Sequence, residues 1–189
     1  SKVTVPYYLF AGKVGFKNDF IITDNWGLSL TVAGVIGAIL TGWFSDRFFQ
    51  SRRGPMVTLL LGGSVLSSIL MAFSLEGNPW FSGIAFLFIS MTAGGMIRIL
   101  SGTMTADFAG ASHTAMAAGV VITFGFLGGG IARGLLPLFL PDRNEAAIAS
   151  NWIALPLFLL FAALIGLILS LRIWNALPKP KPKPESVFE

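Results

Sequence analysis

Cysteine is absent from the 189 residues, which excludes disulfides and thiolate metal sites. Histidine occurs once, as His113, with no acid cluster beside it, so neither a metal centre nor a histidine base is expected. Charge is also scarce. Charged residues make up 12% of the chain, roughly half of the ~25% usual in a soluble domain. No nucleophile–base arrangement and no phosphate-cradling glycine loop occurs, so no enzyme activity, catalytic residue or cofactor is expected. The net charge of +4 would point to nucleic acid in a soluble protein. Here the basic residues sit in short segments between apolar runs, as membrane topology requires, so nucleic acid is not an expected partner. The first twenty residues lack the basic-then-apolar order of a secretory signal.

What is present is apolar surface, with 54% hydrophobic residues and a mean hydropathy of +0.76. A bilayer, unlike water, does not require such a surface to be covered by polar groups. Five runs are long enough to cross about 30 Å of hydrocarbon at 1.5 Å per residue. They are Trp26–Phe44, Pro55–Leu75, Trp80–Leu100, Ala115–Leu140 and Trp152–Trp174. They are apolar on nearly every face, which marks lipid-embedded helices. Turn chemistry separates them at Ser51–Pro55, Glu76–Pro79 and Pro141–Asn144. The stretch Val3–Phe10 is too short to span. It is expected to be the outer end of a sixth helix whose beginning lies before Ser1.

Eight basic residues fall on one side of this arrangement: Arg47, Arg52, Arg53, Arg98, Arg172, Lys179, Lys181 and Lys183. Three fall on the other: Lys13, Lys17 and Arg143. Positive residues favour the cytoplasm, which puts the Arg52 loop and the C-terminus inside. Small residues cluster in the first run at Gly34, Gly37, Ala38 and Gly42. They cluster again in the fourth at Ala118, Gly119, Gly125, Gly128, Gly129, Gly130 and Gly134. In lipid such residues let helices approach closely, and three consecutive glycines also weaken a span locally.

Between the first two runs stands Gly42-Trp43-Phe44-Ser45-Asp46-Arg47-Phe48-Phe49-Gln50-Ser51-Arg52-Arg53-Gly54. This resembles the signature loop of the major facilitator superfamily: a glycine, Asp-Arg four and five positions on, then basic residues. The usual glycine before the basic pair is missing, and Phe49-Gln50-Ser51 lengthens the loop as in the organophosphate:phosphate antiporter branch. Ala106-Asp107-Phe108-Ala109-Gly110, leading through Ala117-Ala118-Gly119 to Phe124-Gly125-Phe126-Leu127-Gly128-Gly129, is similar to the same branch. The resemblance implies an all-α membrane protein, a six-helix half with five full transmembrane helices and the end of a sixth. Residues 1–174 would form that half, running from the end of helix seven through helix twelve. Residues 175–189 would form a Pro/Lys-rich cytoplasmic tail. It implies secondary transport of a small organic anion, an organic phosphate exchanged for inorganic phosphate, in a bacterial or archaeal cytoplasmic membrane. The partners would be a small anionic substrate, membrane lipid and an amino-terminal half of the same transporter. The alternatives are an organic-anion:cation symporter of sugar acids, a membrane sensor of sugar phosphate, and a helical anchor that carries nothing.

The conformational-switch loop on this reading comprises Gly42, Asp46, Arg47, Arg52 and Arg53, with Asp46 set to meet a helix N-terminus or an arginine. Candidate substrate-binding or gating residues are Arg133, Arg98, Tyr7, Tyr8 and Trp26. An arginine inside a span costs at least ~2.5–3.5 kcal/mol near the centre, so Arg133 needs a cavity, a partner or an escape by snorkelling. Arg98 closes the third run, where snorkelling is cheap. Tyr7, Tyr8 and Trp26 either face an outer vestibule or form part of an aromatic belt. No acid lies inside the apolar runs, which favours anion exchange over proton symport. The tail Pro178–Pro184 excludes helix and is expected to be an extended polyproline II segment.

Overall fold

The computed structural model of the chain describes residues 26–49, 53–76, 79–110, 112–141 and 148–176. Among these there is no strand. The helices are α1 (Trp26–Phe48), α2 (Arg53–Ser74) and α3 (Pro79–Arg98), the last continued by a π-helical turn (Ile99–Thr103) into α4 (Met104–Ala109). Then come α5 (Thr114–Phe139), a 3-10 turn (Ala149–Trp152) and α6 (Ala154–Leu171). Among the described residues, five helical stretches are long and apolar enough to cross a membrane, as expected from the five runs.

The fifth run, expected over Trp152–Trp174, is α-helical only over Ala154–Leu171, as α6. Three other boundaries extend past those expected, for one physical reason. Hydropathy falls where a chain leaves the hydrocarbon, but backbone hydrogen bonding continues until a residue breaks it. Thus α1 runs past Phe44 and carries Ser45, Asp46 and Arg47 as helical residues. Likewise α2 begins at Arg53, two residues before Pro55, whose missing N–H costs nothing in a first turn. The third span extends beyond Leu100 to Ala109, so Ala106–Ala109 is helical rather than loop. Its 29 residues from Phe81 make it about 43 Å long, well beyond the hydrocarbon thickness. Gly110 stops it with φ 75° and ψ 166°, a backbone state essentially restricted to glycine. The acids Asp46 and Asp107 therefore lie on the membrane helices themselves, at their ends.

The π turn is held by its own hydroxyls. The Met104 N–H reaches back to Ile99 O. Thr105 Oγ1 lies 2.9 Å from Ser101 O and 2.7 Å from Gly102 O, and Ser101 Oγ donates to Ile97 O at 2.6 Å. These hydroxyls add side-chain bonds to carbonyls in and beside the turn.

α3 is the central element, flanked by α1 and α2, and α6 packs on the far side of α2. The α1–α3 seam is built from small residues. A Cβ on Gly37 would collide with the Met91 backbone, and one on Gly94 with the Gly34 backbone. Ala33, Gly37, Thr41 and Ser45, spaced by four, form the buried stripe of α1. Hydroxyl pairs tie the helices together. Ser64 Oγ is 2.7 Å from Thr92 Oγ1, Ser74 Oγ is 2.8 Å from Ser82 Oγ, and Ser90 Oγ donates to Leu30 O at 2.9 Å. Interhelical hydrogen bonds in membranes average about 0.6 kcal/mol each, so these fix register more than they supply stability. The apolar core of Met56, Val57, Leu60 and Ile99 sits at the Arg53 end.

α5 differs from the others. It meets the π turn, α4 and, lightly, α6, and none of its residues is buried. Its helix continues unbroken through Gly128–Gly130, and a Cβ on any of its six glycines would find open space. The close packing expected of this glycine run is therefore absent among the described residues, and so is a break at the triplet.

Candidate functional site

The ends of three spans converge on Arg53. As the first residue of α2, it projects toward both neighbours before the helix turns away. Its Nη1 donates to Asp46 Oδ1 at 2.9 Å and to Ser45 Oγ at 2.9 Å, both on α1. Its Nε donates to Asp107 Oδ2 on α4 at 3.1 Å. One guanidinium thus bridges two carboxylates 61 positions apart in the chain, from Asp46 to Asp107. The Arg53 side chain is only 10% exposed, against 65% for Asp46 and 29% for Asp107. The exposed Asp46 pair is screened by solvent and contributes at most about 1 kcal/mol. The more enclosed Asp107 bond is a charge-assisted one of about 1.5–3 kcal/mol. Because Arg53 is enclosed, losing both acids would leave a buried cation uncompensated.

Asp46 meets an arginine, one of the two partners the sequence permitted. The Asp107 contact was not anticipated. The only signal for it was an acid on the same predicted side of the membrane, since the bond joins residues 54 apart. Ser45 was missed for the same reason: it is wholly buried, and only the helical stripe 33–37–41–45 gives it away.

Arg47 does not join this group. It is exposed and lies over the Trp43 ring, 5.7 Å from its centroid, a cation–π contact at the membrane edge. Trp43, Phe44 and Phe48 form an exposed aromatic patch beside it, with Phe44 and Phe48 stacked at 5.3 Å. Gly42 serves Arg98: a Cβ at position 42 would lie 3.2 Å from Arg98 Nε. The Arg98 side chain, itself exposed, thus lies against Gly42 of α1. It does not close its helix, since eleven helical residues follow.

Arg133 is exposed on α5, one turn from Gly130. A shallow, open groove on the surface of α5 is lined by Thr123, Phe126, Leu127, Gly130 and Ile131. Arg133 borders it without lining it. The structure does not bring Arg133, Arg98 and the Arg53 cluster together into one pocket. Tyr7, Tyr8, Arg52, the tail lysines and the side chain of Trp26 lie outside the described residues. Among the described residues no group of three His, Asp or Glu side chains is placed to hold a metal ion.

Comparison with known proteins gives a family. Residues 17–189 match the model for the Major Facilitator Superfamily. The chain is 30% identical over 171 residues to the glycerol-3-phosphate transporter of Bacillus subtilis, covering 90% of this chain and 36% of that protein. It is 27% identical over 164 residues to a probable hexose phosphate transport protein of Chlamydia pneumoniae, covering 86% of this chain and 34% of that protein. It is 29% identical over 116 residues to the membrane sensor protein UhpC of Salmonella typhimurium, covering 59% of this chain and 25% of that protein. The chain thus spans about a third of the length of the first two relatives. No solved structure matches.

Proposed function

Because this chain belongs to the major facilitator superfamily, we propose that it forms the carboxy-terminal helical half of a secondary transporter that exchanges an organic phosphate for inorganic phosphate. It is an integral multi-pass membrane protein. The observation that carries the transport reading is the cluster of Arg53 with Asp46 and Asp107. It locks the ends of α1, α2 and α4 on one side of the membrane, where a moving half must be held and released. Asp46 is the exposed member, so it is the one that would exchange partners when the two halves rock against one another.

The substrate class rests on the relatives that transport glycerol 3-phosphate and hexose phosphate. Two arginines suit an anion. Arg133, beside the α5 groove, raises the local concentration of phosphate by its charge. Arg98, against Gly42 of α1, is the other. The main binding residues would come from the amino-terminal half. The exposed faces of α1 and α5 are the surfaces on which that half would seat.

The test is flux. The chain, completed by its amino-terminal half, is reconstituted into liposomes loaded with inorganic phosphate, and uptake of labelled glycerol 3-phosphate is measured. Uptake that requires internal phosphate supports exchange, while uptake independent of it points to another coupling. The similarity to UhpC favours a second reading, a sensor, which predicts binding of a sugar phosphate without flux. Neither binding nor flux would refute both.

A further inference from the structure

The helices α2 and α3 are tied at two levels and part between them. Ser64 Oγ meets Thr92 Oγ1 near mid-helix, and Ser74 Oγ meets Ser82 Oγ at the end away from Arg53. Between the ties lies a groove walled by Leu66, Leu70 and Phe73 of α2 and by Phe81, Ile84 and Phe88 of α3. It follows α2 from residue 66 to residue 74, about 12 Å of helix. The ties close both ends, so a helix, ~10 Å across with its side chains, can lie over the groove but not in it. A single ring or chain can enter.

One polar group meets this apolar space without a partner. Ser67 lines the groove and is 4% exposed, and its hydroxyl makes no hydrogen bond to any described residue. A helical serine ordinarily turns its hydroxyl onto the carbonyl four residues back, as Ser68 does on Ser64 O at 2.8 Å. Ser74, the other hydroxyl on the groove, is engaged by Met71 O and Ser82 Oγ. A buried donor left unpaired is costly, so Ser67 requires an acceptor that the groove walls do not supply.

The position of Ser67 narrows what that acceptor is. It stands seven residues before Ser74, the end of α2, about 10 Å below that end and within the hydrocarbon. A phospholipid headgroup, held at the membrane surface, does not reach it. Among the described residues, no Asp, Glu, Lys or Arg lines the groove, so a charged ligand would lose its hydration and meet no counter-charge. Three phenylalanines do line it, and aromatic faces and edges suit a flat ring.

We propose that the α2–α3 groove binds an uncharged, lipid-soluble aromatic molecule that carries a carbonyl oxygen, with its ring among Phe73, Phe81 and Phe88 and the Ser67 hydroxyl donating to that oxygen. The site uses neither the Arg53 cluster nor any phosphate contact, so its failure and that of the transport reading are separable.

Benzophenone tests it, because it is an uncharged aromatic ketone that, on irradiation, bonds to C–H groups beside its carbonyl. With the full chain in lipid nanodiscs, labelling mapped by mass spectrometry should concentrate at Leu66, Leu70 and Phe88. Diphenylmethane has the same two rings without the oxygen, and should compete roughly three- to tenfold less well than unirradiated ketone, the worth of one hydrogen bond. Ser67→Ala should lower labelling at these residues by about the same factor and remove the preference for the ketone over diphenylmethane. Labelling spread evenly over the five spans would overturn the site. Equal competition by the two compounds on the unaltered chain, or undiminished labelling in Ser67→Ala, would overturn the role of the hydroxyl.

Discussion

At the scale of residues, the two carboxylates on Arg53 are not equivalent. Asp107 is the more enclosed and holds Nε, whereas Asp46 is exposed and shares Nη1 with Ser45. Asp107→Asn should therefore lower the stability of the chain by about 1–3 kcal/mol, as loss of a charged hydrogen bond does. Asp46→Asn should change stability by no more than about 1 kcal/mol, yet slow flux in the completed transporter. Thermal unfolding in detergent and counterflow in liposomes, at equal membrane levels, measure the two effects. Wild-type flux in Asp46→Asn would remove this acid from the switch. Arg133 makes a separate prediction. If its charge gathers substrate at the α5 groove, Arg133→Gln should weaken binding of an anionic sugar phosphate several-fold without loss of protein, and more so at low salt. Arg133→Lys should restore part of the affinity, since a point charge survives while bidentate geometry is lost. Unchanged affinity in the Gln variant would show that this arginine snorkels or pairs structurally.

At the scale of elements, two glycine-rich helices behave differently in one chain. Gly37 is part of a seam in which any side chain meets the Met91 backbone, and backbone cannot step aside as a flexible side chain can. Gly37→Ala should force α1 and α3 apart and cost roughly 1–3 kcal/mol, the usual penalty for overpacking. A Cβ on Gly129 of α5 meets nothing within 4 Å. Gly129→Ala in this chain should be neutral or raise stability by up to about 1 kcal/mol, the difference in helix propensity. Circular dichroism melts of both variants in one detergent decide it. Equal destabilisation would mean that α5 also packs closely. The presence of small residues was legible in both segments. Which glycine row faces a neighbour was not, because a helix apolar all round carries no marked face.

At the scale of the whole molecule, Arg53, Asp46 and Asp107 gather on one side of the bilayer, the side on which eight of the basic residues fall. Positive charge favours the cytoplasm, so this side is expected to face inward. The lack of cysteine allows single reporters to be introduced. In intact cells, Asn78→Cys and Asn144→Cys should react rapidly with an impermeant maleimide, while Ser51→Cys and Glu185→Cys should react only after permeabilisation. Rapid labelling at position 51 would invert the orientation and place the switch and the tail outside.

The sequence by itself determined the spans and the family, because hydropathy and a short loop motif are local in the chain. Asp46 was legible as an acid set to meet an arginine for the same reason. It could not show that Asp107 would share Arg53, since that bond joins residues 54 apart and depends on α4 continuing through an apparent loop. Nor could it show that Arg98 lies against Gly42, or that Gly54 meets the turn that follows α6. Those contacts arise only when the helices pack. A bilayer stabilises each helix separately but is indifferent to which face it presents, so the choice of face rests on small residues, hydroxyls and one enclosed arginine, which only the tertiary structure brings together.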